Sequence, residues 1–319
     1  MWIIAFNKTN NDSSASPDYF QVSHTFKAMG SPCAFHLYHK NKHTLNNAIQ
    51  LAQQEVVRLE KTYSRFLASS QLSKINHAAG KHPVMVDPET AGLLNYSALC
   101  FEQSDGLFDI TSGILNKAWD FKSGTLPSQE QIDECLTHVG FNKITWDGES
   151  IYLPHHMQID FGGVVKEFAA DCARQVLLDS GIEHGLVDLA GDMAVVGCKP
   201  NGEPWLIGIR DPSEPSKAVA TIPLTKGAIA TSGYYERFMI INGKRYCHIL
   251  DPTTGWPVEY CATVSVVADR CIVSGSLATI AMLKQQNAVN WLIDIDADYF
   301  LQDCYGKIFS SGISSPSSS

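Results

Sequence analysis

Three short stretches carry residue types whose spacing could do chemistry. In "HILDPTTGWP", His248 and Asp251 bracket two apolar residues, and Pro252, Gly255 and Pro257 stiffen the chain behind them. A rigid turn that holds an imidazole and a carboxylate suits proton transfer or ligand orientation. The same carboxylate could equally cap its own backbone as an Asx turn. In "IDFGGVVKEFAAD", Asp160 precedes the pair Gly162-Gly163, and Lys166 enters a helical pattern. Paired glycines before a helix let a nucleotide approach the backbone closely, although neither G-x-G-x-x-G nor a Walker Gly-Lys-Ser/Thr is present. A tight strand-to-helix turn explains this stretch about as well. The third stretch is "DRCIVSGSLATIAMLK", where Ser274-Gly275-Ser276 reads as a polar turn opening an apolar helix. A helix start of that kind offers unpaired N–H groups to an anion or to a capping hydroxyl.

Other constellations lead nowhere. "DIDAD" at 294–298 mimics the start of a calcium loop, but its sixth and twelfth positions are Tyr299 and Tyr305. His155 and His156, if they lie in a strand, point to opposite faces and make a poor metal pair. No cysteine sits in the Cys/His context of a nucleophile, and there is no Gly-x-Ser-x-Gly elbow.

The elements that must position these residues are legible in outline. Leu45, Ile49, Ala52, Val56, Leu59, Tyr63 and Phe66 recur at alternating intervals of four and three, one apolar stripe along a helix. Most of that stripe must face a core. Phe66 lies at its end beside the polar "LASSQLSKIN" and could face a ligand instead. A second helix is expected over about 88–103. "VSHTFKAMGSPCAFHLYH" reads as two strands about Met29-Gly30, while Asp147-Gly148 and Asn242-Gly243 are hairpin signals. "MQIDFGGVVKEFAADCARQVLLDSG" reads as strand, glycine turn and helix. "HGLVDLAGDMAVVG", "WLIGIRDP", "VATIPL", "AIATS" and "ATVSVVAD" are further strands. Helices and hairpins alternate without a βαβ rhythm, which predicts an α+β fold of mostly antiparallel strands.

Composition sets the outer limits. The 319 residues are 45% hydrophobic and 18% charged, enough for a large core in one domain. Residues 1–20 are expected to be a loose segment, 21–309 a single domain, and 310–319 a disordered tail. A net charge of −9 speaks against nucleic acid as a partner. Nine scattered cysteines without a Cys-x-x-Cys pair argue against a disulfide framework or zinc ribbon. With no signal-peptide pattern, lipobox or membrane span, a cytoplasmic location without membrane insertion is expected.

Taken together, "KAMGSPC", "RFLASSQLSKIN", "GLFDITSGILNKAWDF", "IDFGGVVKEFAAD", "GLVDLAGDMAVVG", "WLIGIRDP", "AIATSGYYERF", "GKRYCHILDPTTGWPV" and "ATVSVVAD…SLATIAML" resemble the ApbE family, the FAD:protein FMN transferases. The resemblance runs in the family's order from about Thr25 to Leu283. It implies a T-fold-like α+β architecture around a flavin cleft. It also implies magnesium-dependent splitting of the FAD pyrophosphate, transfer of FMN to a Thr or Ser of an acceptor protein, and release of AMP. Some members mainly hydrolyse FAD to FMN and AMP. By the same resemblance Met29, Phe66, Leu107, Phe108, Asp109, Asp160, Lys166 and the backbone near Leu250 contact the flavin nucleotide. His248 and Asp251 fall in the catalytic His-x-x-Asp-Pro turn. The metal would be held through the backbone at Gly163, through position 275 and through Thr279.

The sequence departs from the family pattern in places. Gly275 stands where an aspartate ligand is usual, Glu167 replaces a frequent glycine, Ala190 replaces a glycine in "DLAGD", and Phe66 replaces a tyrosine. Losing the charged ligand at 275 matters most, because magnesium prefers hard anionic oxygens. Three readings stay open at this level: a transferase with a rearranged metal site, a flavin-binding relative that is not an enzyme, and a scaffold for another nucleotide-like ligand.

Overall fold

A computed structural model describes residues 18–214, 216–235, 237–313 and 315–316. The first hairpin joins β1 (Phe20–Ala28) to β2 (Ser31–His39) through Met29 and Gly30, whose φ angles of 52° and 72° give the left-handed pair that such a two-residue turn requires. Asn41 then caps α1 (Lys42–Tyr63) by accepting from the amides of His43 and Thr44. The apolar stripe is buried from Leu45 to Tyr63, but it ends there. The helix stops at Ser64, and Phe66 is 83% exposed outside it. The cause is local: the Ser64 carbonyl accepts from Ser70 Oγ, and its hydroxyl takes the Phe66 amide, so the chain turns off the helix axis.

The next segment contains α2 (Gln71–His77), β3 (Val84–Met85), α3 (Pro88–Gln103), a 3₁₀ turn over Ile110–Lys117 and α4 (Gln129–Leu136). After them β4 (Thr145–Trp146) and β5 (Ser150–Tyr152) flank the expected Asp147-Gly148 turn. His155 and His156 lie in a turn rather than a strand, so their rings meet edge to face at 3.8 Å instead of pointing apart. The strand expected before Gly162-Gly163 is also missing. There the Asn76 side chain takes both polar groups of Ile159, at 2.9 and 3.0 Å, and replaces a neighbouring strand.

From α5 (Val165–Asp179) the chain builds its main sheet with β6 (His184–Leu189), β7 (Asp192–Gly197), β10 (Ala228–Gly233) and β13 (Cys261–Ala268). Between these come β8 (Trp205–Arg210), β9 (Ala218–Leu224), and the hairpin of β11 (Phe238–Ile241) and β12 (Lys244–Cys247) about Asn242-Gly243. The chain continues with α6 (Cys271–Lys284), α7 (Ala288–Asp294), β14 (Asp298–Asp303), β15 (Ile308–Ser310) and β16 (Ser315–Pro316).

Eight strands form one antiparallel sheet in the order β1-β2-β6-β7-β10-β13-β14-β15. Its central strands are buried on both faces, so they read as nearly continuous apolar runs instead of alternating ones. Val187, Ala194, Ala228 and Ala230 face the layer of α1 and α5, while Leu186, Met193, Val195 and Ile229 face the small β8–β9 sheet. The α+β class expected from the sequence is the class observed. Of the segment 1–20, residues 1–17 lie outside the described residues, as do 314 and 317–319 of the tail. Ser315–Pro316 pair with Thr221 and Ala220 of β9. All nine cysteines are unpaired.

Candidate active site

The carboxylate of Asp160 gathers one side of the site. Its Oδ1 accepts the Gly162 amide at 2.8 Å, its Oδ2 pairs with Arg65 at 3.0 Å, and its own amide donates to the Ile110 carbonyl. Arg65 also stacks on the Phe66 ring at 4.9 Å, so the exposed aromatic is tethered beside the glycine turn. The fit there is close, since a Cβ added at Gly163 would lie 3.3 Å from the buried Phe108 ring. Asp109 is consumed by structure. One of its oxygens accepts from the Thr111 amide and hydroxyl and the other from the Phe141 amide. Leu107 packs under the layer of α6 and α7. Met29 packs against the main core, and its amide donates to Glu60 of α1 at 2.6 Å.

The other side is charged and buried. Lys166, on the first turn of α5, pairs with Asp192 of β7 at 2.7 Å. Glu167, the next residue, is 7% exposed, and its Oε2 has no donor directed at it among the described residues. Burial first, and the neighbouring Asp192 carboxylate second, hold the Glu167 carboxyl well above the usual carboxylate range. Asp188, at the far end of β6, is likewise pushed up to about 6, mainly by burial. Its Oδ1 accepts the Gly191 amide and so fixes the β6–β7 turn. Ala190 takes the left-handed conformation in that turn, with φ at 59°.

Across from α5 lies α6, and here the sequence reading needs correcting. Ser274-Gly275-Ser276 is not a turn at a helix start. The helix begins at Cys271, and all three residues are buried inside it. The free amides at its start are already occupied, because Asp171 of α5 accepts from Cys271 at 2.9 Å and Ile272 at 3.0 Å. The serines turn inward, Ser274 to the Ala228 carbonyl and Ser276 to Tyr96. Gly275 faces Glu167, and Thr279, one turn further on, has its hydroxyl 3.0 Å from Ser232 of β10. Among the described residues no group of three His, Cys, Asp or Glu side chains is arranged to hold a metal by itself.

The His-x-x-Asp-Pro turn divides its labour. Asp251 Oδ1 accepts from the Thr253 amide and hydroxyl and from the Thr254 amide, the Asx arrangement that the sequence left open. Leu250 is buried and forms an isolated antiparallel bridge with Pro257, which holds the two arms of the turn together. The turn is anchored by Trp119, whose indole donates to the Gly255 carbonyl at 2.8 Å. His248 Nδ1 lies 3.2 Å from the Arg237 carbonyl. A carbonyl can only accept, so Nδ1 carries the proton and Nε2 presents a lone pair. Burial lowers the His248 pKa to about 4, and the Arg237 and Lys166 charges add to that. The ring is therefore neutral at physiological pH. The influence of Lys166 also places His248 within electrostatic reach of α5.

The ApbE family profile matches residues 29–300. The chain belongs to the ApbE family. Among relatives of this ApbE chain is the FAD:protein FMN transferase of Treponema pallidum, 31% identical over 79% of this chain and 75% of that protein. The enzyme of that name from Klebsiella pneumoniae is 30% identical over 74% of each. An ApbE protein of Thermotoga maritima has the same fold, with a TM-score of 0.84, 28% identity, and coverage of 92% of this chain and 97% of its own. The flavin transferase ApbE of Vibrio cholerae superposes with a TM-score of 0.83 at 22% identity, over 92% of this chain and 98% of its own, a likeness of fold.

Arg65, Asp192 and Ser232 line the candidate site of this ApbE chain without having been expected from the sequence, and Glu167 was expected only as a departure from the family pattern. The signal was present in one place only: Glu167 and Gly275 both break the family pattern, and they are in contact.

Proposed function

We propose that this chain is an FAD:protein FMN transferase that joins FMN to a Thr or Ser hydroxyl of an acceptor protein and releases AMP. The observation that carries the reading is the neutral imidazole of His248, with Nε2 free, on a turn locked by Asp251 in a chain of the ApbE family. The acceptor oxygen forms a bond to the FMN-side phosphorus, and the bond from that phosphorus to the bridging oxygen breaks. AMP leaves with the bridging oxygen, and His248 Nε2 takes the hydroxyl proton. A pKa near 4 makes His248 a weak base in the free protein, but the anionic pyrophosphate beside it would raise that value. Asp251 acts as a positioning residue. Lys166, the turn at Gly162-Gly163, where the absent side chains let a ligand approach the backbone, and the exposed Phe66 suit the phosphates and the ring system of the substrate. Stacking on Phe66 needs no hydroxyl, so the exchange from tyrosine keeps that contact.

Magnesium is the cation the reading requires. Thr279 Oγ1 and the Gly163 carbonyl are hard oxygen donors, and the buried Glu167 Oε2 without a donor fits a site built for a cation. When bound, the ion would offset the charge on the pyrophosphate oxygens. Among the described residues no helix is long and apolar enough to cross a membrane.

The test is incubation of the purified protein with FAD, magnesium and a protein extract from the same organism. Flavin fluorescence that survives a denaturing gel, together with AMP in solution, is expected. FMN and AMP in solution with no labelled protein would replace the transferase by a hydrolase. Bound flavin without either product would leave a flavin-binding relative.

A further inference from the structure

Glu167 on α5 and Gly275 on α6, two positions at which the sequence departs from the pattern of the family it resembles, are in contact across the α5–α6 interface. A Cβ added at Gly275 would lie 2.4 Å from Glu167 Cγ, 2.9 Å from Cδ and 3.0 Å from Oε1. The Glu167 side chain thus fills the volume that a side chain at 275 would take. Glutamate has the reach to cross between the helices, and the absent Cβ on α6 is what admits it. The carboxylate arrives 7% exposed, with Oε2 lacking a donor, beside the Asp192 carboxylate. Two carboxylates buried together repel; Lys166 pairs directly with Asp192 at 2.7 Å and acts on Glu167 through its charge. The surroundings supply further hard oxygens. Thr279 follows Gly275 by one turn on the same face of α6, and Ser232 lies 3.0 Å from Thr279. Gly163 lies in the turn two residues before α5, the helix that carries Glu167 on its first turn.

We propose that Glu167, on α5, supplies the carboxylate ligand to the divalent cation in this chain, in place of a side chain at position 275 on α6. The inference rests on the proposed FAD-dependent activity for the identity of the site, but it concerns which helix carries the charge. Gly275 is then no defect. It is the half of the exchange that makes room.

The test reads cation binding directly. Mn²⁺ is titrated into the purified full chain, alone and with saturating ADP as a pyrophosphate mimic, and free Mn²⁺ is followed by electron paramagnetic resonance. Glu167→Gln keeps shape and hydrogen bonding but removes the charge, and it should weaken Mn²⁺ binding by at least about tenfold. Gly275→Asp alone should fail to tighten binding, because the new side chain meets Glu167. The double exchange Glu167→Gly with Gly275→Asp should restore affinity to within about threefold of wild type, a rescue that a merely structural role would not produce. Mn²⁺ binding by Glu167→Gln equal to wild type would overturn the proposal, as would a wild-type chain that binds no Mn²⁺ in either condition. Quenching of FAD fluorescence in EDTA is measured in parallel. Lost flavin binding in the wild type would count against the activity, whereas intact flavin binding with unchanged Mn²⁺ affinity in Glu167→Gln would count against Glu167 alone.

Discussion

Removing the Asp171 carboxylate should loosen α6, the helix that carries Gly275 and Thr279. Arg270, the residue before that helix, makes no capping bond with its own side chain. The cap comes from α5 instead, through Asp171 Oδ1 to Cys271 N at 2.9 Å and Oδ2 to Ile272 N at 3.0 Å. Cys271 is fully buried and Ile272 is 9% exposed, so water cannot easily replace the lost acceptors. Losing a helix cap costs about 1 kcal/mol, and each buried amide left unpaired adds roughly 1–3 kcal/mol. Against this, burial holds the Asp171 carboxyl above its usual range even though both amides favour its charged form. Desolvation of the charge therefore takes back part of what the two bonds contribute. The balance predicts a loss of about 3 kcal/mol for Asp171→Ala and about 1 kcal/mol for Asp171→Asn, which keeps one neutral acceptor. Urea unfolding at neutral pH, followed by circular dichroism, measures both. An alanine variant within about 0.5 kcal/mol of wild type, or an asparagine variant as unstable as alanine, would mean that the Asp171 carboxylate does not cap α6.

Other outcomes follow from single sites. His248→Ala should lower the rate of FMN transfer by about 10²–10⁴ at neutral pH, as expected for a lost general base. The kcat/KM profile of the wild type should lack an ionisation near 6.5, because the free-enzyme His248 titrates at about 4; a limb near 6.5 would point to another group. His36 is buried with its pKa lowered from 6.5 to about 4, so the unfolded chain binds its proton first. Its contribution is fully present above pH 6.5 and is lost as pH falls toward 4, by roughly 3 kcal/mol, and His36→Asn should reduce the slope over that window while leaving the share due to His248. Phe66→Ala should leave stability within about 0.5 kcal/mol, since the ring is 83% exposed, while FAD affinity measured by fluorescence titration drops roughly three- to tenfold.

What the sequence displayed and what it hid divide along chain distance. The stripe from Leu45 to Tyr63, the Met29-Gly30 hairpin and the Asn242-Gly243 turn depend on neighbours a few residues away, and each formed as expected. Phe66 obeyed the helical spacing but not the helix, because hydrogen bonds to Ser64 end it first. The start of α6 was misplaced because its cap lies a hundred residues earlier, on Asp171. No local pattern announces such a partner. The same holds for the expected strand before Gly162, whose place is taken by contacts from Asn76. The candidate site was legible as a list of residues: His248, Asp251, Asp160, Lys166, Gly163 and Thr279. Which of them are held by structure and which are free was not. Asp109 and Asp251 proved to be occupied by local donors, whereas Glu167, ranked below position 275 among the departures, proved to be a buried carboxylate on the charged side.

The central claim, that FMN and not AMP is joined to protein, can be tested by following each phosphorus separately. Two FAD preparations, one labelled on the riboflavin-side phosphorus and the other on the adenosine-side phosphorus, are incubated with the protein, magnesium and an acceptor extract. Label is expected in an acceptor band only from the riboflavin-side preparation, with the adenosine-side label recovered as AMP. Label entering protein from the adenosine side, or from neither preparation while FAD is consumed, would contradict the claim.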